Sequence, residues 1–235
     1  MIAVISMLID HTGYLLLGCG MLRLLPHSVP QYAAWRQCYL IMRGVGRVAF
    51  PVYAFLLTEG IVHTRNWKRY GLRLAIFALI SEIPFDLLCF QKPICQEAQN
   101  VFFTLLIGLL TVKAADYVAQ RGEGQDTVLI RSILIAAGCG IAVLFRTDYD
   151  YSGVLLIVLL YRLRQNRARQ CIVGFVWMLI TLGRWYYAIG LAAAFLLIGI
   201  YSGERGSARG KYAFYAFYPL HLLLLYLIYR QLMGN

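Results

Sequence analysis

Charge is what this sequence has least of. Only 14% of its 235 residues are Asp, Glu, Lys or Arg, and 60% are hydrophobic, where a soluble domain carries roughly a quarter of its residues as charges. No soluble fold of this length has an interior large enough to hide so much apolar surface, so a water-soluble protein is excluded. Acidic residues are scarcest, 11 against 22 Lys and Arg for a net charge of +11. In a membrane protein such a surplus gathers in cytoplasmic loops, so no nucleic-acid partner is read from it. A metal-site spacing is also missing from Cys19, Cys38, Cys89, Cys95, Cys139 and Cys171, which read as small core residues. Cys89 and Cys95 flank a short loop and are placed to bridge only in an oxidising compartment. Internal repeats and low-complexity linkers are absent, so residues 1–235 read as a single integral membrane domain. Residues 1 to 20 have neither a basic leading region nor an A-x-A-like cleavage site, and read as a permanent helix.

What remains is a series of apolar runs, at roughly 1–20, 44–62, 71–90, 101–119, 128–145, 150–162, 170–185, 186–202 and 214–232. Crossing a bilayer takes about 20 helical residues, so the fold class is all-α, a polytopic transmembrane helix bundle with about eight or nine spans. The two short runs 150–162 and 170–185 are joined by Arg162, Arg164, Arg167 and Arg169. Each arginine at the bilayer centre costs about 2.5–3.5 kcal/mol, so the connection must reach water and both runs cross. With nine spans and a cytoplasmic N-terminus, the inner loops 63–73, 113–131, 162–169 and 203–211 hold 14 of the 22 Lys and Arg. This asymmetry favours that topology, in a bacterial cytoplasmic membrane. Arg23, Arg36, Arg43 and Arg47 break the rule and need another explanation. Pro26 and Pro30 interrupt the chain after the first span, and Gln31 to Arg43 is expected to form an interfacial helix with Tyr32, Trp35 and Tyr39 at headgroup depth.

Ionisable groups inside apolar runs are costly and mark function by default. Asp10 and His11 interrupt the first run. His11 is a candidate general base or acyl acceptor, or a histidine that only bonds another helix. Successive helical residues point about 100° apart, so Asp10 does not orient His11, and Glu59, Glu82 and Asp86 are the candidates for that task. Arg36, Arg43 and Arg47 share one face of a continuous helix, suited to a phosphate or carboxylate or to pairing buried carboxylates. Glu82 and Asp86 lie one turn apart around Pro84, which kinks its helix. His63, Asn100, Thr104, the Asp148-Tyr149-Asp150-Tyr151 stretch, Tyr218 and His221 are weaker signals, and tyrosine-rich span ends also serve as aromatic belts.

Taken in order, Asp10-His11-x-Gly13, Arg43-x-x-x-Arg47-x-x-Phe50-Pro51, Glu59-Gly60-x-x-His63-Thr64, Ser81-Glu82-x-Pro84-x-Asp86, Asn100-Val-Phe-Phe-Thr104 and Tyr218-Pro219-x-His221 resemble the TraX family over nearly the whole chain. That family is named for the conjugation-associated protein that acetylates the F-type pilin amino terminus, and is more distantly similar to multi-span acyltransferases. The resemblance implies an acetyltransferase or related acyltransferase that takes its acyl group from acetyl-CoA, with no metal. The acceptor would be a pilin or an envelope glycan, an amine or a hydroxyl, and membrane lipids the surroundings. Under it, His11, Asp10, Glu82 and Asp86 carry catalysis, while Arg43, Arg47, Glu59, His63, Asn100, Tyr218 and His221 hold donor or substrate. Asn100 or Tyr218 would donate to a developing oxyanion. The competing reading is a transporter or flippase that uses the same buried charges as a pathway, and a non-catalytic scaffold accounts for the helices but not for the charges.

Overall fold

In the computed structural model, residues 1–122, 124–203 and 211–233 are described. Among them the chain is all-helical, in the order α1 (Ile2–Leu24), α2 (Pro30–Gly46), α3 (Ala49–His63), α4 (Trp67–Phe90), α5 (Val101–Ala119), α6 (Gln125–Leu144), α7 (Asp150–Arg162), α8 (Arg167–Leu182), α9 (Ala188–Gly199) and α10 (Lys211–Met233). Five stretches are long and apolar enough to cross a membrane: Ile2–Leu24, Pro30–His63, Val101–Ala119, Gln125–Leu144 and Ala213–Met233. α4 is long enough but carries Arg73, Glu82 and Asp86, and α7, α8 and α9 are shorter than 18 residues. The outward faces show which solvent the fold expects. Only 11% of the apolar window of α6 is buried, with Leu129, Ile133 and Leu144 exposed. Such a surface is stable against lipid and not against water. The basic loop 203–211 lies, between its two ends, outside the described residues.

The chain divides into two compact units, one of Met1–Val52, Ser81–Cys95 and Leu182–Asn235, the other of Tyr53–Ile80 and Gln96–Thr181. In the first, Leu15, Phe50, Leu88, Leu191, Ile198 and Leu222 form the apolar core. Its first helix is irregular. From Gly13 to Met21 it widens into a π-helix, a form that is rare and frequent at functional sites. Gly13 and Gly20 let it sit close to its neighbours, because a Cβ at Gly13 would lie 2.8 Å from the Met42 Cβ, and one at Gly20 would strike Met233. α2 starts with Pro30 in its first turn, where a missing N–H costs nothing, and exposes residues 33–38.

The second unit is organised around Phe55, Leu74, Leu109, Leu156, Ile157 and Met178. Asn100 caps α5, its side-chain oxygen accepting from the Phe102 N–H at 3.1 Å. Gly124, at φ +133°, opens α6 in a conformation that only glycine adopts readily. No disulfide joins any of the six cysteines, so the Cys89–Cys95 bridge is not made.

Candidate functional site

The first unit brings one acid and two arginines together. Asp10 lies on α1 with its carboxylate turned to α2, where Arg43 Nη1 donates at 2.8 Å and Arg47 Nη2 donates to both oxygens at 2.8 and 2.9 Å. Gly46 makes the approach possible, since a Cβ there would overlap the Asp10 carboxylate. Ser6 ties the same two helices by donating to the Val45 carbonyl at 2.7 Å. Aromatic faces finish the enclosure, with Arg43 over Tyr14 and Arg47 over the buried Tyr187, at 5.4 and 4.9 Å from the ring centroids. Arg47 is 7% exposed. Two guanidinium groups thus face one carboxylate, so the three side chains carry one net positive charge. A fork of arginines on one acid is a strong arrangement, and taking the acid away would strand both cations.

These contacts account for two of the four arginines that break the charge rule. Arg43 and Arg47 are paired with Asp10 rather than free as loop charges.

His11 is the next residue of α1 and faces elsewhere. Its Nδ1 is 2.8 Å from Nε2 of His221 on α10, and the two rings stack with centroids 5.0 Å apart. The Nδ1 of His221, in turn, is 2.8 Å from the Phe217 carbonyl, and Phe217 lies flat against the same ring at 4.7 Å. Tyr218 presents its edge to both histidines, 6.1 Å from His11 and 5.7 Å from His221. His221 is 4% exposed, and Tyr218 is equally buried. Pro219 lies between them inside α10 and cannot donate to the carbonyl one turn earlier, which loosens the helix where these side chains turn inward.

The expected partners of His11 lie elsewhere. Asp86 is buried, and its Oδ2 accepts from the Cys95 N–H at 2.7 Å, so it fastens the turn after α4. Glu82 is half-buried on the same helix. Neither bonds His11, whose ring partner is an imidazole where a carboxylate had been expected. Glu59, His63 and Asn100 belong to the second unit. Glu59 and His63 are an i, i+4 pair at 3.7 Å with His63 largely exposed. Asn100, expected to serve an oxyanion, spends its carboxamide on the α5 cap and on the Ala78 carbonyl at 2.8 Å. Tyr14, Tyr187 and Phe217 were not anticipated, though the aromatic run Trp185-Tyr186-Tyr187 after Arg184 was a visible signal. Among the described residues no group of three or more His, Cys, Asp or Glu could hold a metal.

Helices that turn apolar faces outward while holding an ion-paired aspartate and a histidine pair inside define a multi-pass membrane protein with a polar internal site. Ionisable groups inside such a bundle are candidates for substrate or proton chemistry. The chain belongs to the TraX protein family, whose profile matches residues 1–229. It is also similar to a Dichelobacter nodosus protein named "Probable fimbrial assembly protein FimC, serogroup H1", 33% identical over 118 residues that cover 47% of this chain and 42% of that relative. No solved structure matches.

Proposed function

We propose that this protein is an integral membrane acyltransferase that transfers an acetyl group from acetyl-CoA to an amine or hydroxyl, with His11 as general base. The observation that carries the reading is the placement of His11, held by His221 and next in the chain to the Asp10–Arg43–Arg47 cluster. Membership of the TraX family supports it, and the relative named for fimbrial assembly supports a pilin amino terminus as acceptor over an envelope glycan.

Acetyl-CoA supplies an activated acyl group and brings several negative charges. The one net positive charge of the arginine cluster fits such an anion, and Arg43, less buried than Arg47, is the arginine we assign to it. His11 removes the proton from the acceptor nitrogen or oxygen, which bonds to the acyl carbon as the carbon–sulfur bond breaks. The proton held on His11 then passes to the leaving thiolate, so one amide or ester and one thiol result. Tyr218, edge-on to the His11 ring, is the candidate donor to the oxyanion. In this reading the chain acts as one membrane domain with about eight or nine spans and its N-terminus in the bacterial cytoplasm.

The test is turnover of radiolabelled acetyl-CoA by the purified protein in detergent. His11→Ala is expected to lower turnover by on the order of 10²–10⁴, the usual contribution of a general base, while the protein stays folded. Undiminished turnover in that variant would remove His11 from the chemistry. Solute flux through proteoliposomes with no covalent product would put a transporter in place of the enzyme.

A further inference from the structure

The histidine pair contains more information than proximity, because one end of its hydrogen-bond chain is a carbonyl. A carbonyl oxygen only accepts. The His221 Nδ1, 2.8 Å from the Phe217 carbonyl, must therefore carry a hydrogen. A neutral imidazole has one N–H, so Nε2 of His221 is bare and can only accept. The His11 Nδ1, 2.8 Å away, must then be the donor, and the single proton of a neutral His11 sits there. Its Nε2, on the opposite edge of the ring, is left as the bare lone pair. That nitrogen makes no hydrogen bond to any described residue.

We infer that His221 is a positioning residue that fixes His11 in the tautomer with its proton on Nδ1, so that Nε2 is the basic atom of the site. A histidine free in water favours the other tautomer, with the proton on Nε2, and in that form would present an N–H where a base is required. The hydrogen bond on one ring nitrogen sets the state of the other. Every link in the chain is rigid. Phe217 is one helical turn before His221 and stacks on it, Tyr218 abuts both rings, and His221 is almost fully buried. A neutral partner also suits the surroundings, because it orients His11 without adding a second anion beside the one carboxylate that already holds two arginines. When Nε2 takes up a proton, Nδ1–H remains pointed at His221 and its bond becomes charge-assisted.

The inference rests on the acyltransferase reading for its purpose but not for its test. Nitrogen NMR of the full-length protein, labelled with ¹⁵N-histidine in nanodiscs, reads the tautomer directly. The sequence has four histidines, and His27→Gln and His63→Gln assign the remaining signals. Wild type is expected to show His11 protonated on Nδ1 and bare on Nε2. His221→Phe should return His11 to the Nε2–H form and lower kcat by on the order of 10²-fold with KM nearly unchanged, as for a group that acts only in the transition state. His221→Gln, whose side-chain oxygen can accept from Nδ1–H, should keep the wild-type tautomer and recover much of the rate. This variant also guards against a fold that fails when the bulkier Phe is introduced. An Nε2–H tautomer in wild type, or an unchanged His11 signal in a folded His221→Phe protein, would overturn the inference. Wild type with the stated tautomer but no acetyl transfer would leave the hold of His221 on His11 standing and remove the acyltransferase reading instead.

Discussion

The two units use buried polar groups differently. In the second, several are engaged in local bonds. Asn100 caps α5, Gln170 bonds the Leu160 carbonyl at 2.6 Å across the turn between α7 and α8, Trp177 donates to the Ser152 carbonyl at 2.9 Å, and Tyr161 donates to Asp116. Its arginines stack on aromatic rings, Arg164 on Tyr161 and Arg167 on Phe55 at 4.2 and 4.6 Å. These are local pairings of a polar side chain with a backbone carbonyl, a ring or another side chain, as buried polar groups in any fold require. The first unit instead gathers Asp10, Arg43, Arg47, His11 and His221, each buried or half-buried, between α1, the C-terminal end of α2 and α10. Polar groups that packing does not require are the ones to test for function.

Asp10→Ala should have the largest effect on stability, because it leaves Arg43 and Arg47 buried without their acid. Breaking a buried pair by removing one partner costs about 3–5 kcal/mol. A clear fall in Tm in detergent is expected, together with loss of turnover. If Asp10→Ala unfolds no more easily than wild type, the cluster is open to water and the contrast between the units collapses. Gly46→Ala probes the same contact from the backbone side, since its methyl would collide with Asp10.

The sequence made some of this visible and hid the rest for physical reasons. Helix positions were legible, since long apolar runs need few other signals. Asp10, His11, Arg43, Arg47 and His221, the side chains that meet in the first unit, were also legible, because an ionisable group within an apolar run stands out whatever it touches. What they touch was not. His11 and His221 are 210 residues apart, and an imidazole and a carboxylate are equally good acceptors on paper, so the carboxylates of α4 attracted the assignment. Asp86 was spent on a turn that one-dimensional spacing does not show. The π-helix was hidden because Gly13, Gly18 and Gly20 read equally well as close packing. Asn100 sits at a helix start and before an apolar run, and a capping role could have been read there from the outset.

Asn100→Ala ranks next and sharpens the comparison from the other unit. It removes a cap, typically about 1 kcal/mol, and the bond to the Ala78 carbonyl, a net contribution of similar size. The melting temperature should fall measurably while turnover per folded molecule stays at the wild-type level. A folded Asn100→Ala protein with turnover reduced on the scale of His11→Ala would give Asn100 a part in the chemistry and erase the division of labour drawn above.

The smallest effect is expected at Glu59. It faces His63 one turn along α3 at 3.7 Å, and His63 is largely exposed. With one partner largely exposed, a pair of this kind is screened and contributes about 0–1 kcal/mol. Glu59→Gln removes the charge and preserves the shape, so neither Tm nor turnover should move beyond error. The sequence gives Glu59 the same weight as Asp10, as an acid inside an apolar run, so this variant asks whether position in a run is enough. A strong loss of turnover in Glu59→Gln would mean that it is, and that the second unit carries function through a residue whose local contacts do not announce it. An unaffected protein would leave burial and partner, rather than charge within a run, as the features that separate the two units.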